Sequence, residues 1–134
     1  MDYLSQFKQY MNEQGIRFVD LEDGVIRISY RGKNINTINI IGVFGGNKKG
    51  SVQFSCCPGV NFPSSIRYRA YVFCNVMNSN YRWVRFYVDD EGDIMCETDV
   101  LLRDGYVVPC RAILEKMVDI VDETYPGFLS KTSE

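Results

Sequence analysis

The chain has 134 residues, is 46% hydrophobic and 24% charged, and carries a formal net charge of -2 with an isoelectric point near 5.2. Size and composition predict a single domain over residues 1–134 with its own core, and a polar tail that frays from about residue 127. Slight acidity without a basic stripe excludes an ordinary nucleic-acid binder, and no apolar run is long enough to span a bilayer.

Residues 2–14 predict an amphipathic helix. Tyr3, Leu4, Phe7, Tyr10 and Met11 recur at spacings of three and four, Asp2 can cap the start and Gly15 can end it. That start is acidic and does not read as a signal peptide. Four strands follow, over 16–21, 25–31, 34–44 and 51–57. The turns between them fall at Asp23-Gly24, at Arg31-Gly32-Lys33 and at the glycine-rich 45–50 segment, so the strands form an antiparallel meander. Pro58-Gly59 breaks the sheet. Phe62-Pro63 leads into a second helix capped by Ser64 or Ser65 and ended by Asn78, Ser79 and Asn80.

The second helix is apolar around most of its circumference, through Ile66, Tyr68, Ala70, Tyr71, Val72, Phe73, Cys74, Val76 and Met77. Such a helix is expected to be buried on more than one side, against the sheet or also against another subunit. Residues 81–89 then alternate, with Val84, Phe86 and Val88 facing one way and Trp83, Arg85 and Tyr87 the other. The acidic turn 90–93 leads to a strand over 94–102. A closing helix has Pro109 in its first turn, an inward stripe of Ile113, Leu114, Met117, Ile120, Val121 and Tyr125, and an outer face with Glu115, Asp119, Asp122 and Glu123. The order α-β-β-β-β-α-β-β-α defines an α+β fold, an antiparallel sheet packed against helices.

The chemistry that can be read is sparse. The chain has no histidine, which removes the commonest general base and metal ligand. Its five cysteines are odd in number, lack a CxxC pair and lie mostly in apolar runs, so reduced buried thiols in the cytoplasm are expected. Lys48 and Lys49 are not obvious activators of a cysteine nucleophile. The 45–50 segment lacks the order of a phosphate loop, because lysine precedes glycine and a strand follows. Asp89, Asp90, Glu91 and Asp93 around Gly92 lack calcium-loop spacing and read as a solvated turn. Arg67, Arg69, Arg82 and Arg85 among Tyr68, Tyr71, Trp83 and Tyr87 could stack bases, but they also read as the solvated faces of a helix and a strand. Asn75 and Asn78 can bond across to a strand or a partner, or simply cap the helix end. No catalytic residue, cofactor site or metal site is predicted.

The segment FCNVMNSNYRWVRFYVDDEGDIMCETDV, residues 73–100, resembles the YbjN family of bacterial proteins. Asparagines near a helix end precede a strand with an acidic turn, a second strand and the amphipathic helix AILEKMVDIVDETYP. With the N-terminal helix and strands the resemblance covers roughly residues 2–126. It implies a bacterial sensory transduction regulator with a fold like that of type III secretion chaperones. Those are small, acidic, usually dimeric proteins that hold a client segment extended on their surface and have no hydrolytic site. The reading is therefore a noncatalytic protein-binding module, a chaperone-like adaptor or regulator, expected as a homodimer with a protein or peptide client. Tyr68, Tyr71, Trp83 and Tyr87 are the interface candidates, because aromatic residues supply much of the energy in hot spots. The alternative is a small-ligand sensor with a pocket between the sheet and the second helix, involving Cys74 or Asn75.

Overall fold

The computed structural model describes residues 2–104 and 107–133. Its elements are α1 (Tyr3–Glu13), β1 (Val19–Glu22), β2 (Val25–Tyr30), β3 (Ile38–Gly45), β4 (Ser51–Cys56), α2 (Arg67–Asn80), β5 (Arg85–Val88), β6 (Ile94–Leu101) and α3 (Val107–Ser130). The expected order is the observed one. The strands form one antiparallel sheet in the order β1-β2-β3-β4-β6-β5, so the late hairpin joins the meander through β4 and β6.

Alternation decides which face is inward. Ile26, Ile28, Ile38, Ile40, Phe44, Val52, Phe54, Ile94 and Cys96 are buried, while their strand neighbours are partly or fully exposed. Fully burying such a side chain is worth about 2 kcal/mol, more than the whole β-propensity scale spans, so a one-residue slip in register is strongly disfavoured. All three helices cover this inward face. The Phe7 ring of α1 lies 5.4 Å from that of Phe44 and 6.2 Å from that of Phe54. Phe128 of α3 lies 4.8 Å from Phe73 of α2 and 5.1 Å from Phe86 of β5. Among the described residues no helix covers the opposite face of the sheet, which is left bare. At the start of α1 the Asp2 carboxylate accepts from Ser5 N–H at 2.8 Å, and at its end Gly15 takes a φ of +71°.

Four expectations need correction. First, β3 begins at Ile38 rather than 34. The preceding loop wraps the carboxylate of Asp122, which accepts the N–H groups of Lys33, Asn34 and Ile35 at 2.9–3.0 Å. Asp122 was expected on a solvated outer face. Instead burial raises its pKa, but those three N–H bonds and the Lys33 charge outweigh that and hold the carboxyl below the usual range. Second, β5 begins at Arg85. Trp83 lies outside the strand with a left-handed φ of +80°, which interrupts the predicted alternation.

Third, the tail does not fray from residue 127, because α3 runs to Ser130 and Phe128 is buried. Pro126 lacks the N–H that would bond the Asp122 carbonyl in a continuous helix. The Asn34 side-chain amide donates to that carbonyl at 3.0 Å instead. Glycine at 127 lets the ring of Phe73 approach, since a Cβ there would sit 2.8 Å from it. Fourth, α2 is not buried on several sides within a single chain. Ala70 and Cys74 are its buried residues, and Tyr68, Tyr71, Val72 and Val76 are exposed.

Candidate protein-binding site

The outward side of α2 is the largest departure from a self-contained fold. Tyr68, Val72 and Val76 are four residues apart and form one stripe, flanked by Tyr71. Their exposures are 60, 63, 41 and 58%. The stripe borders an open groove of about 730 Å³, walled by Tyr68, Arg69, Val72, Phe73 and Val76 on one side and the end of α3 on the other. Arg69 fixes that wall by donating to the carbonyls of Lys131 and Ser133 at 3.3 and 2.8 Å. Lys131 lies over the Phe73 ring, 5.5 Å from its centroid. The groove is on the solvent side of α2, not between helix and sheet. Asn75 is exposed and Cys74 faces the core.

The two sheet edges differ. At β5 the peptide groups of Phe86 point away from β6, and Asn78 takes both. Phe86 N–H donates to Asn78 Oδ1 at 2.7 Å, and Asn78 Nδ2 donates to the Phe86 carbonyl at 3.0 Å. The asparagine amide occupies the place of a further strand and closes that edge. At the other end β1 pairs with β2 alone, with a register shift between Asp20 and Glu22. Phe44 N–H donates to the Gly24 carbonyl at 2.7 Å. In an antiparallel ladder this assigns even-numbered residues of β2 to β3 and odd-numbered ones to β1. The N–H and carbonyl of Asp20, which stands opposite Ile26, therefore face out of the sheet.

The predicted interface residues fall in three places. Tyr68 and Tyr71 lie together on α2. Trp83, 59% exposed, borders a shallow apolar groove with Pro109, Ala112, Ile113 and Lys116 of α3. Tyr87 lies on the bare sheet face, where its hydroxyl donates to Glu97 at 2.6 Å. That bond, with burial and the carboxylate charge, pushes its pKa up to about 12. Arg85 bridges Glu97 and Asp99, each at 2.8 Å, and Gln53 donates to Asp99 at 3.1 Å. Around Arg85, Tyr87, Glu97, Asp99 and Gln53 the bare face is thus a polar lattice, with Leu101 exposed beyond it at the end of β6. Sequence reasoning did not single out Val72 and Val76 as surface residues, although their spacing from Tyr68 was the available signal.

The other candidate chemistries have structural explanations. All five cysteines are free. Burial pushes the thiols of Cys56 and Cys110 up to about 12 and that of Cys74 to about 11, and raises those of Cys96 and the exposed Cys57, so none is primed as a thiolate. Asp89 organises the acidic turn by accepting the N–H groups of Glu91 and Asp93 at 3.0 and 2.9 Å. Among the described residues no group of three His, Cys, Asp or Glu side chains is placed to hold a metal ion. No helix among them is long and apolar enough to cross a membrane.

This one-sided α+β sandwich has the fold of the type III secretion chaperones. Three solved structures superpose on it. A chain of the ExsC–ExsE complex matches with a TM-score of 0.59 at 12% identity, covering 92% of this chain and 94% of that one. One from the heterodimeric ExoU–SpcU complex of the Pseudomonas aeruginosa type III secretion system matches at 0.60 and 18%, again covering 92% and 94%. A structure described as YbjN, a putative transcription regulator from E. coli, matches at 0.65 and 13%, covering 92% of each chain. The family model for YbjN, "Putative bacterial sensory transduction regulator", matches residues 4–127, and the chain belongs to that family. No curated protein sequence matches it.

Proposed function

We propose that the protein is a noncatalytic, chaperone-like binding module, acting in the cytoplasm as an adaptor or regulator in bacterial signalling. The observation that carries this reading is α2, whose Tyr68, Tyr71, Val72 and Val76 face solvent although the fold has its own core. An apolar stripe of this kind, edged by polar residues, is the usual mark of an interaction surface. It pairs two copies into a homodimer, leaving the unpaired edge of β1 for an extended segment of a protein client. The chaperone-like fold and the free state of all five cysteines accord with this role and setting.

Sedimentation equilibrium over a range of concentrations tests self-association. The wild type is expected as a dimer and Val72→Glu as a monomer with an unchanged circular dichroism spectrum, because the substituted side chain is exposed in the monomer. A wild type that stays monomeric at every concentration overturns the α2 assignment. The groove beside α2 also falls within the volume range of small-ligand pockets, which favours a sensor as the second reading. A concentration-dependent rise in melting temperature with a metabolite, absent in Tyr68→Ala, distinguishes it.

A further inference from the structure

The bare face of β1–β3 differs from the polar lattice beside it. Val19, Leu21 and Val43 are 47, 46 and 44% exposed, and Val25 and Ile41 are half-buried next to them. The registers place Val19, Arg27 and Ile41 in one row across three strands. Arg27 is therefore a cation set among aliphatic side chains. Its Nε is buried and has no hydrogen-bond partner, and Arg27 forms no ion pair with any described residue. The carboxylates that could serve it are engaged elsewhere or stand apart. Glu97 and Asp99 hold Arg85, Asp20 holds Lys8 at 2.6 Å, and Glu22, opposite Val25 past the bulge, does not reach it.

A guanidinium nitrogen shielded from water and left without an acceptor is costly, and a carboxylate is its best-matched partner. The row of Arg27 and Val19 runs straight to the open edge, where the peptide groups of Asp20 face outward. A strand added there lies two strand spacings from β2, about 10 Å. An arginine side chain lying across Val19 and an acidic side chain on the new strand together span that gap.

We infer that the β1 edge selects extended peptide segments carrying an aspartate or glutamate on the outer face in the row of Val19 and Arg27. The neighbouring outward positions of such a segment, two residues either side, are aliphatic and continue the Val19–Leu21 patch. This rests on the proposed client-binding role and adds its specificity: the edge supplies main-chain bonds and Arg27 chooses among strands.

The test is display selection of random ten-residue peptides on the intact protein, followed by measurement of the enriched peptides against three variants. Asp20→Pro removes the outward N–H of the edge, Arg27→Gln removes the cation, and Arg27→Lys keeps a charge without the planar fork. Enriched peptides are expected to carry an acid between aliphatic residues and to bind Arg27→Gln about tenfold more weakly, a loss typical of one charge-assisted contact. Arg27→Lys recovers part of the affinity, which separates a lost contact from a lost fold. Peptides that depend on Asp20 but show no acidic preference, or bind Arg27→Gln equally well, overturn the role of Arg27 and leave the edge reading standing. No enrichment, or indifference to Asp20→Pro, overturns both.

Discussion

Replacing Asn78 by alanine isolates the contact that closes the β5 edge. The substitution removes the acceptor for Phe86 N–H and the donor to its carbonyl, at 2.7 and 3.0 Å. A fully buried backbone group left unpaired costs about 1–3 kcal/mol. Both groups here are only partly buried, so water offsets some of the loss, and about 2 kcal/mol in total is expected for the pair. Urea unfolding followed by far-ultraviolet circular dichroism reads this as a lower midpoint at constant slope. A second variant checks the cause. Asn78→Asp keeps an acceptor for the N–H but sets a negative oxygen against the Phe86 carbonyl. Protonation restores a donor, so the folded state favours the protonated form and the pKa of the new carboxyl is raised on folding. The stabilising contact is then complete at low pH and is lost as pH rises through the folded value. A loss under about 0.5 kcal/mol for the alanine variant, or no pH dependence specific to the aspartate variant, refutes the account.

The remaining predictions concern the loop, the strained residue and the third helix. In Gly32→Ala a Cβ would stand 2.3 Å from Asp122 Oδ1 and 2.8 Å from the Ile35 carbonyl, so the loop must release the carboxylate. Hydrogen exchange should show the Lys33, Asn34 and Ile35 amides losing protection while the strands keep theirs. The depressed pKa of Asp122 makes its contribution complete above the ordinary carboxylate range and lost as pH falls through the folded value. The wild type should therefore lose more stability on acidification than Asp122→Asn, and parallel loss would contradict this. At Trp83, with φ +80°, Trp83→Gly should be more stable than Trp83→Ala by about 1 kcal/mol, since alanine resists the left-handed conformation; equal urea midpoints would refute the strain. Gly127→Ala should lower thermal stability by pushing the Phe73 ring away from Phe128.

What the sequence discloses here is whatever lies within one element or one turn. The α1 stripe and its Asp2 cap, the Asp23-Gly24 turn and the strand alternation are all local, and their positions follow from periodicity alone. The misread places depend on partners far along the chain. Asp122 looks like one more acid on a polar helix face, and its loop is 87–89 residues away. The proline that should end α3 is tolerated because Asn34 takes the carbonyl it leaves free. Asn78 was open to two readings, and geometry alone chooses the cross-link to β5. For α2, composition records how much apolar surface there is but not where it points, so Val72 and Val76 read as part of a helix buried on more than one side. The interface candidates had the same weakness. Aromatic identity picked out four exposed residues, but only Tyr68 and Tyr71 share a surface, and nothing local marks Arg27 as lacking a carboxylate.

The position of β6 bears on how the chain comes to be folded. The last strand in sequence is an inner one, pairing Ser51 with Leu101 and Cys56 with Cys96 across β4. During synthesis the N-terminal meander emerges with β4 as a provisional edge, its Val52 and Phe54 not yet paired with Val100 and Thr98 of β6. That edge stays open until residues 94–101 leave the ribosome, at a rate of about 5–20 residues per second. The nascent molecule therefore passes through a sticky, incomplete sheet, and only the late hairpin seals it.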